Sequence, residues 1–124
     1  MIREQMHSYQ NYCVKFIEEH PEALLILEMG LGKTIISLTA IKDLMYDNFA
    51  VRKTLVIAPL RVARDVWPQE KDLWSHTRDL RMSVIIGGCK DRVSALRAEA
   101  DVYVINRENV KWLVDFLEQH RIPW

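Results

Sequence analysis

Cysteine is nearly absent from this chain: Cys13 and Cys89 are the only two among 124 residues. They stand far apart and fit neither a zinc-ligand spacing nor a disulfide framework. That usage points to a reducing, cytoplasmic setting. No apolar run approaches the length that spans a bilayer, and the N-terminus has no secretory hydrophobic stretch, so no membrane partner is expected. No sign of charge predominates either. Seventeen basic residues balance seventeen acidic ones, so any nucleic-acid contact has to come from a local cluster rather than a global field. Internal repeats and low-complexity tracts are missing as well. What the chain does have is apolar residues. At 49% hydrophobic it can build a core and is no disordered segment, and its length limits it to one domain or part of one.

One stretch organises the rest: Leu27-Glu28-Met29-Gly30-Leu31-Gly32-Lys33-Thr34. Ala23 to Leu27 before it reads as a short buried strand. Ile35, Ile36, Leu38, Ala40, Ile41, Leu44 and Met45 after it predict a helix apolar enough to be mostly covered. Strand, glycine turn, Gly-Lys-Thr and helix make a phosphate-binding P-loop. Gly30 and Gly32 let backbone amides approach an anion. The helix start adds unsatisfied N–H groups and the positive end of its dipole. Lys33 is placed to reach the β- and γ-phosphates as the catalytic cation, and the Thr34 hydroxyl to ligate Mg²⁺. An ammonium about 4 Å from a phosphate oxygen gains on the order of 4 kcal/mol at an effective dielectric near 20. Met29, Gly30, Leu31, Gly32, Lys33, Thr34 and Ile35 are therefore the expected phosphate cradle. Leu27 stands where the general pattern has its first glycine. The competing reading is a tight strand-to-helix turn with a solvated lysine.

Upstream, Tyr9, Tyr12, Cys13, Phe16 and Ile17 share one face of a helix that His20-Pro21 ends. Gln10 lies at the border of that stripe, and its amide offers donor and acceptor together, as an adenine edge requires; read alone, it is an ordinary surface glutamine. Downstream, Lys53 to Pro59 predicts a buried strand. A helix through Trp74 follows, buried through Val62, Val66, Leu73 and Trp67/Trp74, with Pro68 marking a kink or the true helix start. Arg81 to Ile86 predicts a third strand closed by Gly87-Gly88, then a polar helix over about 91–100 with Val93 and Leu96 inward. Val102 to Ile105 predicts a fourth strand. A last helix runs over about 108–120, with Val110, Leu113, Val114 and Leu117 on its inner face. This alternation implies an α/β fold, a parallel sheet covered by helices on both faces. Ligands in such sheets sit beyond the strands' carboxyl ends. The turns there carry Pro59-Leu60-Arg61 and Asn106-Arg107, which puts Arg61, Arg64 and Arg107 on the functional rim; the plain alternative is solvated loop arginines.

These pieces together resemble the superfamily 2 helicases, most closely the SWI/SNF-type translocases and their phage relatives. Glu28-Met29-Gly30-Leu31-Gly32-Lys33-Thr34 resembles motif I, where the family usually has Asp in place of Leu27. Met6-His7-Ser8-Tyr9-Gln10 resembles the adenine-reading segment, commonly Leu-Arg-Pro-Tyr-Gln. Leu55-Val56-Ile57-Ala58-Pro59-Leu60 resembles motif Ia, and Val102-Tyr103-Val104-Ile105-Asn106-Arg107-Glu108 resembles motif Ib. The resemblance implies a P-loop NTPase of the RecA-like, three-layer α/β/α type. ATP and Mg²⁺ would be its cofactors, with Tyr9 and Gln10 at the base. Pro59, Leu60, Arg61, Arg64, Asn106 and Arg107 would face a nucleic-acid backbone, DNA before RNA. Residues 1–124 would be a partial helicase ATP-binding domain, and residues 1–20 its adenine-reading segment.

The family continues with a strand ending in an Asp-Glu pair, motif II. Asp43, Asp72, Asp101 and Asp115 all lie in the wrong context for it. The expectation is a first motor lobe cut before the motif II strand, with a second RecA-like lobe in the parent chain, little hydrolysis of its own, and self-association through an unpaired sheet edge. A P-loop kinase or other nucleotide-dependent transferase, and a non-enzymatic nucleotide- or DNA-binding module, are the other readings.

Overall fold

A computed structural model describes residues 1–20, 32–122 and 124. The strand expected over Ala23 to Leu27 and the cradle residues Met29, Gly30 and Leu31 lie outside the described residues. The elements are α1 (Ser8–Glu19), α2 (Lys33–Lys42), β1 (Thr54–Ala58), α3 (Trp67–Leu73), β2 (Met82–Ile85), α4 (Cys89–Arg97), β3 (Val102–Asn106) and α5 (Val110–Gln119). The three strands form one parallel sheet in the order β1-β3-β2, with Ala58 beside Asn106 and Ile85 beside Ile105.

Two-residue periodicity divides the central strand between two cores. Val102 and Val104 of β3 join Leu38, Ala58, Ala63, Trp67 and Leu80 on one face. Tyr103 and Ile105 join Ile85, Leu96 and Leu113 on the other. Every residue of β3 is buried, the pattern of a strand covered on both sides. The fold is therefore α/β with three layers, α2 and α3 on one side and α4 and α5 on the other. A separate cluster of Met6, Cys13, Val14, Ile35, Ile36, Ala40 and Trp74 fastens α1 to α2.

Three helix faces differ from expectation. In α1 the buried residues are Gln10, Cys13 and Val14, while Tyr12 is 70% exposed. The core therefore takes a stripe rotated toward Val14, and Tyr12 stacks outward with Phe16. In α5 Leu113 is buried but Val114 is exposed, because Trp112 and Phe116 pack on the core instead. Between Leu60 and Trp74, Ala63, Trp67 and Trp74 are buried, and Val66 and Leu73 are exposed. Pro68 does mark the start of the α-helix, the second of its two expected roles. Having no N–H to close an ordinary helical bond, it sits in the first turn of α3, entered by a wider π-helical turn over Val62–Val66.

Candidate nucleotide site and strand-end rim

The direction of α2 follows from one hydrogen bond. Tyr46, in the π-helical turn Asp43–Asp47 that extends α2, donates its hydroxyl to Asp101 at 2.7 Å. Asp101 immediately precedes β3, so the far end of α2 lies at the sheet's amino edge. Lys33 to Tyr46 rises about 20 Å, comparable with the ~16 Å of a five-residue strand. The start of α2 therefore lies toward the carboxyl edge, where open α/β sheets bind ligands.

Gly32 is the N-cap of α2 with φ 79° and ψ 40°, the left-handed conformation that favours glycine. The first bond inside the helix runs from the Ile36 N–H to the Gly32 carbonyl at 3.1 Å. The amides of Lys33, Thr34 and Ile35 precede it and have no intrahelical acceptor. Lys33 is exposed and its ammonium makes no ion pair among the described residues; Thr34 is half-buried. Ile35 has its side chain in the core at 1% exposure, so only its backbone is available to a ligand.

Gln10 is brought against this helix start. A Cβ built on Gly32 would collide with the Gln10 side-chain amide nitrogen, so a side chain here would displace Gln10, while the positive φ is what favours glycine. Gln10 is no surface residue: only 6% of it is exposed. Its carbonyl accepts from the His7 backbone N–H at 2.8 Å, which closes the first turn of α1. A glutamine three positions after the N-cap His7 has the capping-box spacing, without the Ser or Thr at the N-cap that would announce it in the sequence. Tyr9 stacks on His7 with ring centroids 5.6 Å apart.

Sequence reasoning missed what holds α1 and the chain before it in place. Arg3 donates two hydrogen bonds to Asp43, at 2.8 and 2.7 Å. Burial, the largest single influence, pushes the Asp43 carboxyl upward, but the bonds and charge of Arg3 together with hydrogen bonds from Glu18 and Asp47 hold the group below the usual carboxylate range. Glu18 joins from the last turn of α1. Burial first, then its contact with Asp43, push its carboxyl up to about 7, and its Oε1 is buried without a hydrogen-bond partner. One turn earlier on the same face of α2, Thr39 meets His76 Nε2 at 2.8 Å, and burial lowers the imidazole to about 4.

Along the carboxyl edge, Pro59, Leu60 and Arg61 follow β1, and Arg107 follows β3; all four are exposed. The register that sets Ala58 beside Asn106 brings these two turns together. The Arg61 and Arg107 side chains make no hydrogen bond or ion pair among the described residues. Arg64 is exposed but engaged with Asp65 through two bonds of 2.9 and 3.0 Å. Asn106 is buried and turned inward: its amide donates to Glu108 at 2.9 Å, and its carbonyl accepts from Asn109 at 2.6 Å. It builds the turn that presents Arg107. Among the described residues no helix is long and apolar enough to cross a membrane.

Known proteins place this architecture. The SNF2-related domain family matches residues 6–124. Protein p41 of Acyrthosiphon pisum secondary endosymbiont phage 1 is 39% identical over 110 residues, covering 88% of this chain and 24% of the phage protein. The solved Sulfolobus solfataricus SWI2/SNF2 ATPase core in complex with dsDNA is similar in fold, with a TM-score of 0.65 at 24% identity, over 82% of this chain and 21% of that one. The chain thus spans about a quarter or less of the length of these relatives. It belongs to the family of SNF2-related domains.

Proposed function

We propose that this chain is the ATP-binding portion of the first RecA-like lobe of an ATP-dependent DNA translocase, with residues 1–20 as its adenine-reading segment. The observation that carries the reading is the Gln10 amide seated against Gly32 at the open start of α2. Two segments separated in the chain, one suited to a base and one to phosphates, meet there. The amides of Lys33, Thr34 and Ile35 hold phosphate oxygens, Lys33 neutralises the β- and γ-phosphates, and Thr34 offers its hydroxyl to Mg²⁺. Gln10 and Tyr9 orient the base. Mg²⁺ supplies neutralisation of charge that develops on the phosphates, and positioning does the rest. On the rim, Arg61 and Arg107, with Arg64, contact a nucleic-acid backbone without reading bases.

Calorimetric titration with Mg-ATP tests this reading. Weak binding by the chain, lost in Lys33→Ala, with negligible turnover, is the expected result. Appreciable steady-state ATPase from the 124-residue chain, abolished by Lys33→Ala, would contradict its assignment as a partial lobe. No binding at all would remove the nucleotide site.

A further inference from the structure

Phe49 lies at the other end of the sheet and takes no part in the proposed nucleotide site. Its φ is 53°, a conformation that side chains with a Cβ avoid and glycine adopts freely. Its ring is 83% exposed. The surrounding backbone is fixed by three bonds: Asn48 N–H to the Asp43 carbonyl at 2.8 Å, and Ala50 and Val51 N–H to the Leu44 carbonyl at 2.8 and 3.3 Å. Phe49 follows the C-cap of the turn that extends α2, and its left-handed φ belongs to the helix end that these bonds close. What the turn presents to solvent is an exposed phenyl.

The ring borders an open groove of about 410 Å³, whose apolar wall includes Met45, Tyr46 and Val51 and whose polar groups come from Arg52, Arg81 and Asp101. Asp101 is already satisfied by the Tyr46 hydroxyl, the Arg81 backbone N–H and the Arg81 guanidinium. The Arg52 guanidinium has no hydrogen bond or ion pair among the described residues. What the groove leaves open is thus an aromatic anchor beside a free cation. Its complement is an apolar side chain next to a carboxylate.

We propose that the groove between Phe49 and Arg52 docks an acidic, apolar segment of a partner protein, with the Phe49 ring as anchor. The groove opens at the sheet's amino edge, so occupancy is compatible with a ligand at the start of α2.

Fluorescence anisotropy with a labelled peptide of glutamates interspersed with leucines tests this, against a lysine–leucine peptide and oligoglutamate. The glutamate–leucine peptide is expected to bind at least about tenfold more tightly than either control. Phe49→Gly should weaken it about tenfold while raising the melting temperature, because the backbone strain is relieved; loss of binding with unchanged folding separates docking from stability. Arg52→Glu should shift preference to the lysine–leucine peptide. Equal affinities for the three peptides, or undiminished binding by Phe49→Gly, would overturn the proposal. Sedimentation showing a dimer that Phe49→Gly disperses would also overturn it, by giving the groove to a second copy of the chain.

Discussion

Gly32 shows how much one position can decide. Alanine there meets two penalties: a left-handed φ of 79°, worth roughly 1–2 kcal/mol, and a methyl group placed against the Gln10 amide. Gly32→Ala should therefore lower stability in denaturant titration by at least about 1 kcal/mol and displace Gln10; an unchanged midpoint would refute the close approach. Glu18 gives a second prediction, in pH. Its folded-state carboxyl is raised to about 7 from its ordinary 4.5, so the folded chain holds a proton that the unfolded chain has released. The stability it contributes is complete below about 4.5 and lost as pH rises through 7. Glu18→Gln should flatten the fall in melting temperature between pH 5 and 8, and a variant parallel to the parent would contradict it. His76, depressed to about 4, works in the opposite sense, its contribution falling as pH drops from about 6.5. The start of α2 at Lys33, capped by Gly32, was readable because the motif dictates residue types at fixed spacing. Arg3 with Asp43 was not, because nothing local in positions forty apart announces a pair.

The strands followed their sequence pattern closely because burial on both faces leaves a continuous apolar run, as in Val102 to Ile105. Helix existence was equally legible, but helix rotation was not. Aromatic residues can pack on one another along the surface, as Tyr12 does on Phe16, and so dilute the periodic signal. Two helix ends share a stop device. His20 Nδ1 lies 2.7 Å from the Phe16 carbonyl, with rings stacked at 4.0 Å. His120 Nδ1 lies 3.0 Å from the Phe116 carbonyl, with rings at 4.1 Å. Since a carbonyl only accepts, Nδ1 carries the proton in both, and each histidine satisfies one of the last helical carbonyls. His120→Ala should cost about 0.5–1.5 kcal/mol in chemical denaturation, with His120→Asn recovering part of it. No loss would show the contact to be idle.

At the scale of the molecule, the parallel sheet sorts its edges by use. The carboxyl edge carries the glycine-capped start of α2 and two arginines unpaired among the described residues, Arg61 and Arg107; the amino edge carries the ion pairs of Asp101. β1 has only β3 as a partner among the described residues, and Ile57 on it is exposed. Concentration-dependent light scattering that falls in Ile57→Lys is expected from such an edge, and a clean monomer at high concentration would argue against it. If the rim contacts duplex DNA, replacing Arg61 and Arg107 by glutamine should reduce the slope of log affinity against log salt by about 2, whereas Arg64, already shared with Asp65, should contribute less. On the proposed reading, α1 and α2 build a single ATP site. Parallel titrations with Mg-ATP and Mg-tripolyphosphate test it most directly, on the parent chain, Gln10→Ala and Lys33→Ala. The account predicts that Gln10→Ala loses the advantage of ATP over tripolyphosphate but keeps binding the latter, while Lys33→Ala loses both. An ATP advantage that survives Gln10→Ala, or tripolyphosphate binding that survives Lys33→Ala, would contradict it.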